Sequence, residues 1–241
     1  MKSSTMPILN LCLKCHRRLK TCLCQHIKPF DTNSRFIILM HPKEFKREKV
    51  GTGRFTHLIL QNSAVLVGVN FDDDPRFQGF LDDPEYESFV LYPGEDTIDL
   101  STERLALQLK SKAQFFIIDG TWASALKMMR LTTKLHPLPR VSFGQTRVSE
   151  FKVKQQPLDG CLSTVESVHQ LIVDLNQMSI ESTENREANL MDVFRHMVDL
   201  QIKLAGDQEY QGYRKKSFTR LEERKLTKRW ARRNLFFSGL S

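Results

Sequence analysis

The sequence predicts an α/β fold: a mostly parallel sheet flanked by helices, with a cysteine-rich head before it and helices closing the carboxyl-terminal side. Three observations predict it. Short, nearly continuous apolar runs recur at Arg35-Phe36-Ile37-Ile38-Leu39-Met40, Ala64-Val65-Leu66-Val67-Gly68-Val69, Phe89-Val90-Leu91-Tyr92 and Phe115-Phe116-Ile117-Ile118, with Val141-Ser142-Phe143 as a weaker fifth. Runs of strand length without alternation fit strands buried on both faces, as in parallel sheets. The segments between several of them repeat at helical spacing, so strands and helices alternate. Finally, 241 residues of which 40% are hydrophobic and 27% charged suffice for one large domain with a sizeable core.

In chain order, residues 11–28 form a compact cysteine-rich head, and Pro29-Phe30-Asp31-Thr32-Asn33-Ser34 reads as a turn or linker. A helix follows Gly53, with Phe55, Leu58 and Ile59 on one side. Asp72-Asp73-Asp74 and Asp82-Asp83 read as short acidic loops. Ser101-Thr102-Glu103 resembles a helix start, although Leu105, Leu107 and Leu109 after it are ambiguous in period. Trp122, Ala125, Leu126 and Met129 recur at three- and four-residue intervals. Val165, Val168, Leu171, Ile172 and Leu175 repeat cleanly behind Ser163-Thr164-Val165-Glu166, a capping box. Leu190, Val193, Phe194, Met197, Val198 and Ile202 make a second amphipathic stripe, ended by Gly206. The expected division is a head at 1–30, an α/β domain at 31–206 and a basic helical tail at 207–241.

The formal net charge is +8, and its location matters more than its size. Residues 214–233 hold ten basic and two acidic side chains, so the rest of the chain carries 26 of each sign. That concentration points to a polyanion contacted by this end. The bland reading is a solvated helix; Phe218 and Trp230 among the basic residues, with Tyr213 just ahead, add the stacking surfaces that RNA contacts use. No apolar run approaches the roughly 20 residues of a membrane span. Residues 1–11 carry one lysine and too short an apolar stretch for a secretory signal. The expectation is a cytoplasmic protein in a reducing compartment.

That setting changes how the cysteines read. Cys12, Cys15, Cys22 and Cys24 form a C-x2-C-x6-C-x-C pattern, and four thiolates on two tight turns can converge tetrahedrally on zinc. Lys14, Arg17, Arg18 and Lys20 would partly offset the dianionic charge of such a centre. Buried free cysteines or redox thiols are the alternatives, and dense spacing in a polar, basic segment favours structural metal over both. With four protein ligands no position is left open for catalysis. Cys161 stands apart and reads as a small buried residue.

The fourth apolar run leads directly into Asp119-Gly120-Thr121-Trp122. Open α/β sheets bind ligands at the carboxyl ends of their strands, so chemistry is expected at this turn. Partial desolvation would raise the pKa of Asp119 and make it a better base; the alternative is that Asp119 or Thr121 caps the following helix.

Here the sequence resembles the DTW-domain family, which includes tRNA-uridine aminocarboxypropyltransferases. Asp119-Gly120-Thr121-Trp122 is similar to its D-x-T-W motif, and the four-cysteine head to its zinc cluster. His41-Pro42-Lys43-Glu44 leading to Gly51-Thr52-Gly53-Arg54 resembles its H-P-x-E and N-T-G-R segments, with Gly51 for the usual Asn. Ser163-Thr164-Val165-Glu166-Ser167 resembles its S/T-x-E-A segment, with Ser167 for the usual Ala. The resemblance spans about residues 12–175, in the family's order. It implies a SPOUT-like, knotted fold, and transfer of the 3-amino-3-carboxypropyl group of S-adenosylmethionine to N3 of a tRNA uridine. It also implies catalytic Asp119, Thr121 and Trp122, a cofactor site of His41, Gly51, Thr52, Gly53, Arg54, Ser163, Thr164 and Glu166, and zinc on Cys12, Cys15, Cys22 and Cys24. No Rossmann G-x-G-x-x-G competes with it.

Several of these residues keep a second reading. Trp122 either stacks on a base or anchors a core. The Gly51–Arg54 segment suits a carboxylate or phosphate but also an ordinary loop with a solvated Arg. His41 lines the cleft or is a satisfied surface histidine, and Ser163 with Glu166 holds the cofactor or only caps a helix. The competing functions are a methyltransferase of related fold and a non-catalytic zinc-knuckle RNA-binding protein.

Overall fold

A computed structural model describes residues 10–47, 51–94, 96–102, 109–143, 149–151 and 162–206. The expectations for Leu105, Leu107, Cys161 and the basic tail lie outside these residues.

Six strands form one sheet: β1 (Arg35–Met40), β2 (Ser63–Val67), β3 (Tyr86–Leu91), β4 (Thr97–Asp99), β5 (Lys112–Asp119) and β6 (Arg140–Ser142). Their order is β2-β1-β5-β3-β6-β4, and every pairing is parallel. Among the described residues six α-helices accompany them: α1 (Pro42–Arg47), α2 (Thr52–Ile59), α3 (Pro75–Leu81), α4 (Trp122–Leu131), α5 (Thr164–Gln177) and α6 (Ala188–Gly206).

The apolar runs explain the layering. Successive strand residues point to opposite faces, so β1 and β5 divide their side chains between two cores. Phe36, Phe115 and Ile117 pack with Phe55 and Ile59 of α2 and the apolar stripes of α5 and α6. Ile37, Leu39 and Phe116 pack with Phe77 of α3 and Met128 and Met129 of α4. Covering both faces with helices lets continuous apolar strands exist without exposing them. The head is part of this packing: Cys15, Leu23, Ile27 and Phe30 belong to the first core.

The helix after Gly53, the Trp122 helix, the Ser163 helix and the long helix ending at Gly206 stand where periodicity predicts them. Within α4 the buried side chains are Ala125, Met128 and Met129, and Leu126 is exposed. The two acidic stretches bracket a helix instead of forming plain loops. Asp74 caps α3 by accepting from the N–H groups of Arg76 at 2.9 Å and Phe77 at 3.4 Å, with Pro75 at the first helical position, and Asp82 follows its end. Strand β4 and helix α1 were not expected; each is too short to carry a periodic signal. Residues 29–34 are no loose linker: Phe30 is buried and bridges Leu60, while the Glu181 carboxylate accepts from Asn33 N–H at 3.0 Å and Ser34 N–H at 2.5 Å. No described helix is long and apolar enough to cross a membrane.

Candidate active site

Strands β1 and β5 lie side by side at the middle of the sheet, with Met40 level with Asp119. On the way from β1 to β2, α2 packs on one face, and on the way from β5 to β6, α4 packs on the other. Adjacent parallel strands whose connections part this way open a crevice at their carboxyl ends, the place where open α/β sheets bind ligands. His41 and Asp119 occupy those two ends, joined by a 2.8 Å hydrogen bond from His41 N–H to the Asp119 carbonyl.

Asp119 is 8% exposed, and its carboxylate sits between the amino ends of two helices. Oδ1 accepts from Thr164 Oγ1 at 2.6 Å, at the first residue of α5. Oδ2 faces α2, where a Cβ placed on Gly53 would stand 2.5 Å from it. Only a glycine lets the α2 backbone come this close. First-turn N–H groups have no intrahelical partner and helix amino ends favour negative charge, so both helices suit a carboxylate there.

Thr121, not Asp119, caps α4: its Oγ1 accepts from Ser124 N–H at 3.4 Å and pairs with Ser124 Oγ at 3.0 Å. Trp122 opens that helix half-buried, outside both apolar cores. His41 is buried, and burial with the charges of Lys43 and Lys127 lowers its pKa below the usual imidazole range. Its Nδ1 accepts from Lys43 N–H at 3.1 Å, which leaves Nε2 to carry the proton of the neutral ring. Thr52 is buried and its carbonyl accepts from Thr56 Oγ1 at 3.0 Å. Gly51 precedes α2 as its N-terminal cap residue. Arg54 is committed to α1, donating to the Phe45 carbonyl at 3.1 Å with its guanidinium 4.9 Å from the Phe45 ring centroid.

Glu166 is buried, and its carboxylate gathers a set of donors. Ser163 donates through N–H at 2.7 Å and Oγ at 2.6 Å, Ser149 through Oγ at 2.9 and 3.0 Å, and Glu150 through N–H at 2.7 Å. The capping box is therefore present, and the same carboxylate also holds the chain that follows β6. Glu166 shapes the entrance of α5 and thereby places Thr164 against Asp119. The sequence gives no sign of the Ser149 contact or of the Thr164–Asp119 bond, since each joins segments separated by a connection without periodicity.

The four cysteine Sγ atoms lie within 4.8 Å of one another, so the head presents a cluster able to hold a metal ion. Cys12 and Cys24 are 3.6 Å apart and Cys15 and Cys22 are 3.7 Å apart. Backbone N–H groups of Cys15 and Lys14 hold the Cys12 thiol down at about 6, whereas burial pushes Cys15 and Cys24 up. Of the four basic residues expected to balance this cluster, Arg17 alone is buried, at 7% exposure. Its guanidinium lies 5.7 Å from the Phe55 ring centroid of α2, and its Nε and Nη1 have no hydrogen-bond partner among the described residues. The head thus abuts the helix that faces Asp119.

Two cavities lie away from Asp119 and His41. One of about 360 Å³ is lined by Glu181, Glu184 and Glu187 beyond the far end of α5, an acidic lining unsuited to an anionic ligand. The other, of about 220 Å³, lies between Lys20, His26, His196 and Lys203.

The sequence profile of the DTW domain matches residues 9–202. A protein of Drosophila melanogaster named tRNA-uridine aminocarboxypropyltransferase 2 is 30% identical over 173 residues, covering 69% of this chain and 66% of that protein. A Mus musculus protein of the same name is 26% identical over 80% of this chain and 66% of its own length. The Arabidopsis thaliana tRNA-uridine aminocarboxypropyltransferase A is 24% identical, over 80% of this chain and 81% of its own length. The chain thus spans just under two thirds of the length of the fly and mouse proteins. No solved structure matches it.

Proposed function

Because the chain belongs to the DTW-domain family, we propose that it transfers the 3-amino-3-carboxypropyl group of S-adenosylmethionine to N3 of a uridine in tRNA, releasing 5′-methylthioadenosine. The observation that carries the reading is the Asp119 carboxylate at a sheet switch point, held between the entrances of α2 and α5. The relatives' names supply the substrate class.

In this reading Asp119 accepts the uridine N3 proton as N3 attacks the carbon beside the sulfonium. The N3–C bond forms as the C–S bond breaks, and the electron pair leaves with a neutral thioether, so no general acid is required. Thr164 orients the carboxylate, and Thr121 fixes the turn that carries it. Neutral His41, Gly51, Thr52, Gly53, Ser163 and the α5 entrance line the donor site, with Arg54 and Glu166 holding its walls. Trp122 offers a half-exposed indole for stacking.

Zinc is the metal we assign to Cys12, Cys15, Cys22 and Cys24. Tetrahedral bonds of about 2.3 Å to sulfur separate neighbouring sulfurs by about 3.8 Å, and the paired Sγ distances of 3.6 and 3.7 Å fit. Four thiolates would close the coordination shell, so a bound ion would supply structure and no chemistry. We extend the proposal to a SPOUT-related, knotted fold, supported by the parallel sheet, and to a division into a 1–30 head, a 31–206 catalytic domain and a 207–241 tail that grips tRNA. A cytoplasmic site of action suits a tRNA substrate and reduced thiols.

The test is incubation of the purified protein with S-adenosylmethionine and unmodified tRNA, followed by mass spectrometry of nucleosides and coproducts. The expected products are aminocarboxypropyluridine and methylthioadenosine. S-adenosylhomocysteine with a methylated nucleoside would replace the reading with a methyltransferase, and tRNA binding without consumption would replace it with a binding protein.

A further inference from the structure

The outer surface of the head has a composition unlike the rest of the molecule. Asn10–Cys12 and Arg17–Leu19 come together as a small antiparallel turn, with Leu11 bridging Arg18 and Leu19 N–H reaching the Asn10 carbonyl. His16 adopts a φ of 57° within this turn, and its N–H reaches the Cys12 carbonyl at 2.8 Å. The cysteines face inward. Leu13 is 85% exposed, Leu19 57% and Leu11 40%, three large apolar side chains in water within nine residues. Lys14, His16, Arg18, Lys20 and Lys28 are exposed around them, and residues 10–28 contain no acidic side chain. Apolar exposure gathered in one patch and rimmed by charge of one sign marks an interaction surface.

The patch leads toward the crevice. The His16 ring meets Phe45 edge-on at 6.4 Å, and Phe45 is itself 40% exposed. Phe45 also neighbours Arg54, two positions along α2 from Thr52 and adjacent to Gly53, which abuts Asp119. Exposed leucines, a phenyl ring and exposed lysines therefore run from the head toward the candidate active site. The occupant must meet cations and apolar side chains together, and the substrate proposed above is an RNA. Unpaired RNA satisfies both, because its phosphates take the lysines while its splayed bases lie against apolar and aromatic side chains.

We propose that this face of the head docks the single-stranded loop of the RNA substrate, with Lys14 and Lys20 on phosphates and Leu13, Leu19 and Phe45 against bases, so that the target uridine enters the crevice at Asp119. The inference rests on the tRNA reading above and adds a contact surface separate from the basic tail.

The test uses the full-length, metal-loaded protein and a Lys14→Gln, Lys20→Gln double variant, beside a Leu13→Ser, Leu19→Ser double variant. Affinity for unmodified tRNA is measured across a salt series, together with S-adenosylmethionine affinity and metal content. Loss of two phosphate contacts lowers tRNA affinity about tenfold at low salt and shrinks the slope of log K against log salt by about 1 to 2. The leucine variant binds several-fold more weakly with an unchanged slope. In both, S-adenosylmethionine affinity stays at the parent value, and tRNA affinities are compared at equal metal loading. If both variants bind tRNA within twofold of the parent with the same slope, the proposal is wrong. If the same substitutions abolish binding to phosphatidylserine vesicles and spare tRNA, the partner is a membrane and the proposal fails equally. A parent protein that neither binds nor modifies tRNA would instead remove the reading on which it rests.

Discussion

Thr164 Oγ1 donates a 2.6 Å hydrogen bond to Asp119 Oδ1, and this bond ties the first residue of α5 to the last residue of β5 across 45 positions of sequence. Asp119→Asn replaces an acceptor with an amide that cannot take a proton. Positioned acid–base groups contribute about 10²- to 10⁴-fold to rate, so single-turnover transfer falls by at least a hundredfold with metal content unchanged. Thr164→Val leaves the carboxylate in place but unoriented and lowers the rate by about tenfold, within the general range of an altered hydrogen bond to a charged group. Turnover of Asp119→Asn within a few-fold of the parent would remove Asp119 from the role of base.

Gly53→Ala tests the close approach of α2. The added methyl would stand 2.5 Å from Asp119 Oδ2 and 3.1 Å from Met40 Cε, so the carboxylate or the helix must shift. Overpacking of this kind costs about 1–3 kcal/mol, and thermal unfolding records it. The displaced carboxylate also cuts transfer more deeply than S-adenosylmethionine affinity, a division that kcat and KM separate.

Glu166→Gln substitutes an amide for one oxygen of a carboxylate surrounded by donors, so its NH2 group faces Ser163, Ser149 or Glu150 donors. Leaving a buried donor unsatisfied costs about 1–3 kcal/mol. Loosening the α5 entrance weakens S-adenosylmethionine binding, measured by calorimetry, before it affects the overall circular dichroism. Unchanged affinity in a stably folded variant would limit Glu166 to helix capping.

Arg17→Met changes sign with metal. In the metal-free protein a buried guanidinium with two nitrogens unpartnered among the described residues is a cost, and removing it raises stability. In the metal-loaded protein the same group balances a dianionic thiolate centre, and its loss lowers both stability and metal affinity. Thermal unfolding with and without chelator, and cobalt competition, check the reversal. Arg17→Lys retains most of the metal affinity, whereas a purely packing role for Arg17 would make Met destabilising in both forms.

His41 gives a pH dependence with a definite direction. Burial lowers its pKa from the ordinary 6.5, so the unfolded chain binds the proton first as pH falls. Stability therefore declines on acidification below about 6.5 and levels once the folded form also titrates. Half-buried His57, lowered by the same desolvation, adds to the decline. Denaturant titrations between pH 7 and 5 show a smaller loss for His41→Asn than for the parent.

Much of the fold is legible because its signals are local and dense. Four continuous apolar runs give the four longest strands, and the Ser163–Glu166 pattern gives the start of α5 by a mechanism that needs no tertiary contact. Helix α3 is hidden because the aspartates that cap it read as loop composition, and β4 because three residues carry no period. At the site, Asp119, Gly53 and the cysteines are visible as residue types in suggestive places. Their relationships are not. That Thr164 meets Asp119, that Gly53 is needed for backbone clearance, and that Arg17 is buried while Arg18 and Lys20 stay in solvent all depend on distant segments meeting across the sheet.

The double hold exerted by Glu166 reaches beyond stability. It grasps Ser149 and Glu150 where the connection from β6 arrives and Ser163 where that connection ends. Both ends of the intervening stretch are thus pinned to one point, and each doubling of its length adds only about 0.6 kcal/mol of closure entropy. Insertions, deletions and exchanges there leave Thr164 where it is. Changes of length or sequence between Phe151 and Leu162 are therefore expected to leave the grip of Thr164 on Asp119 intact.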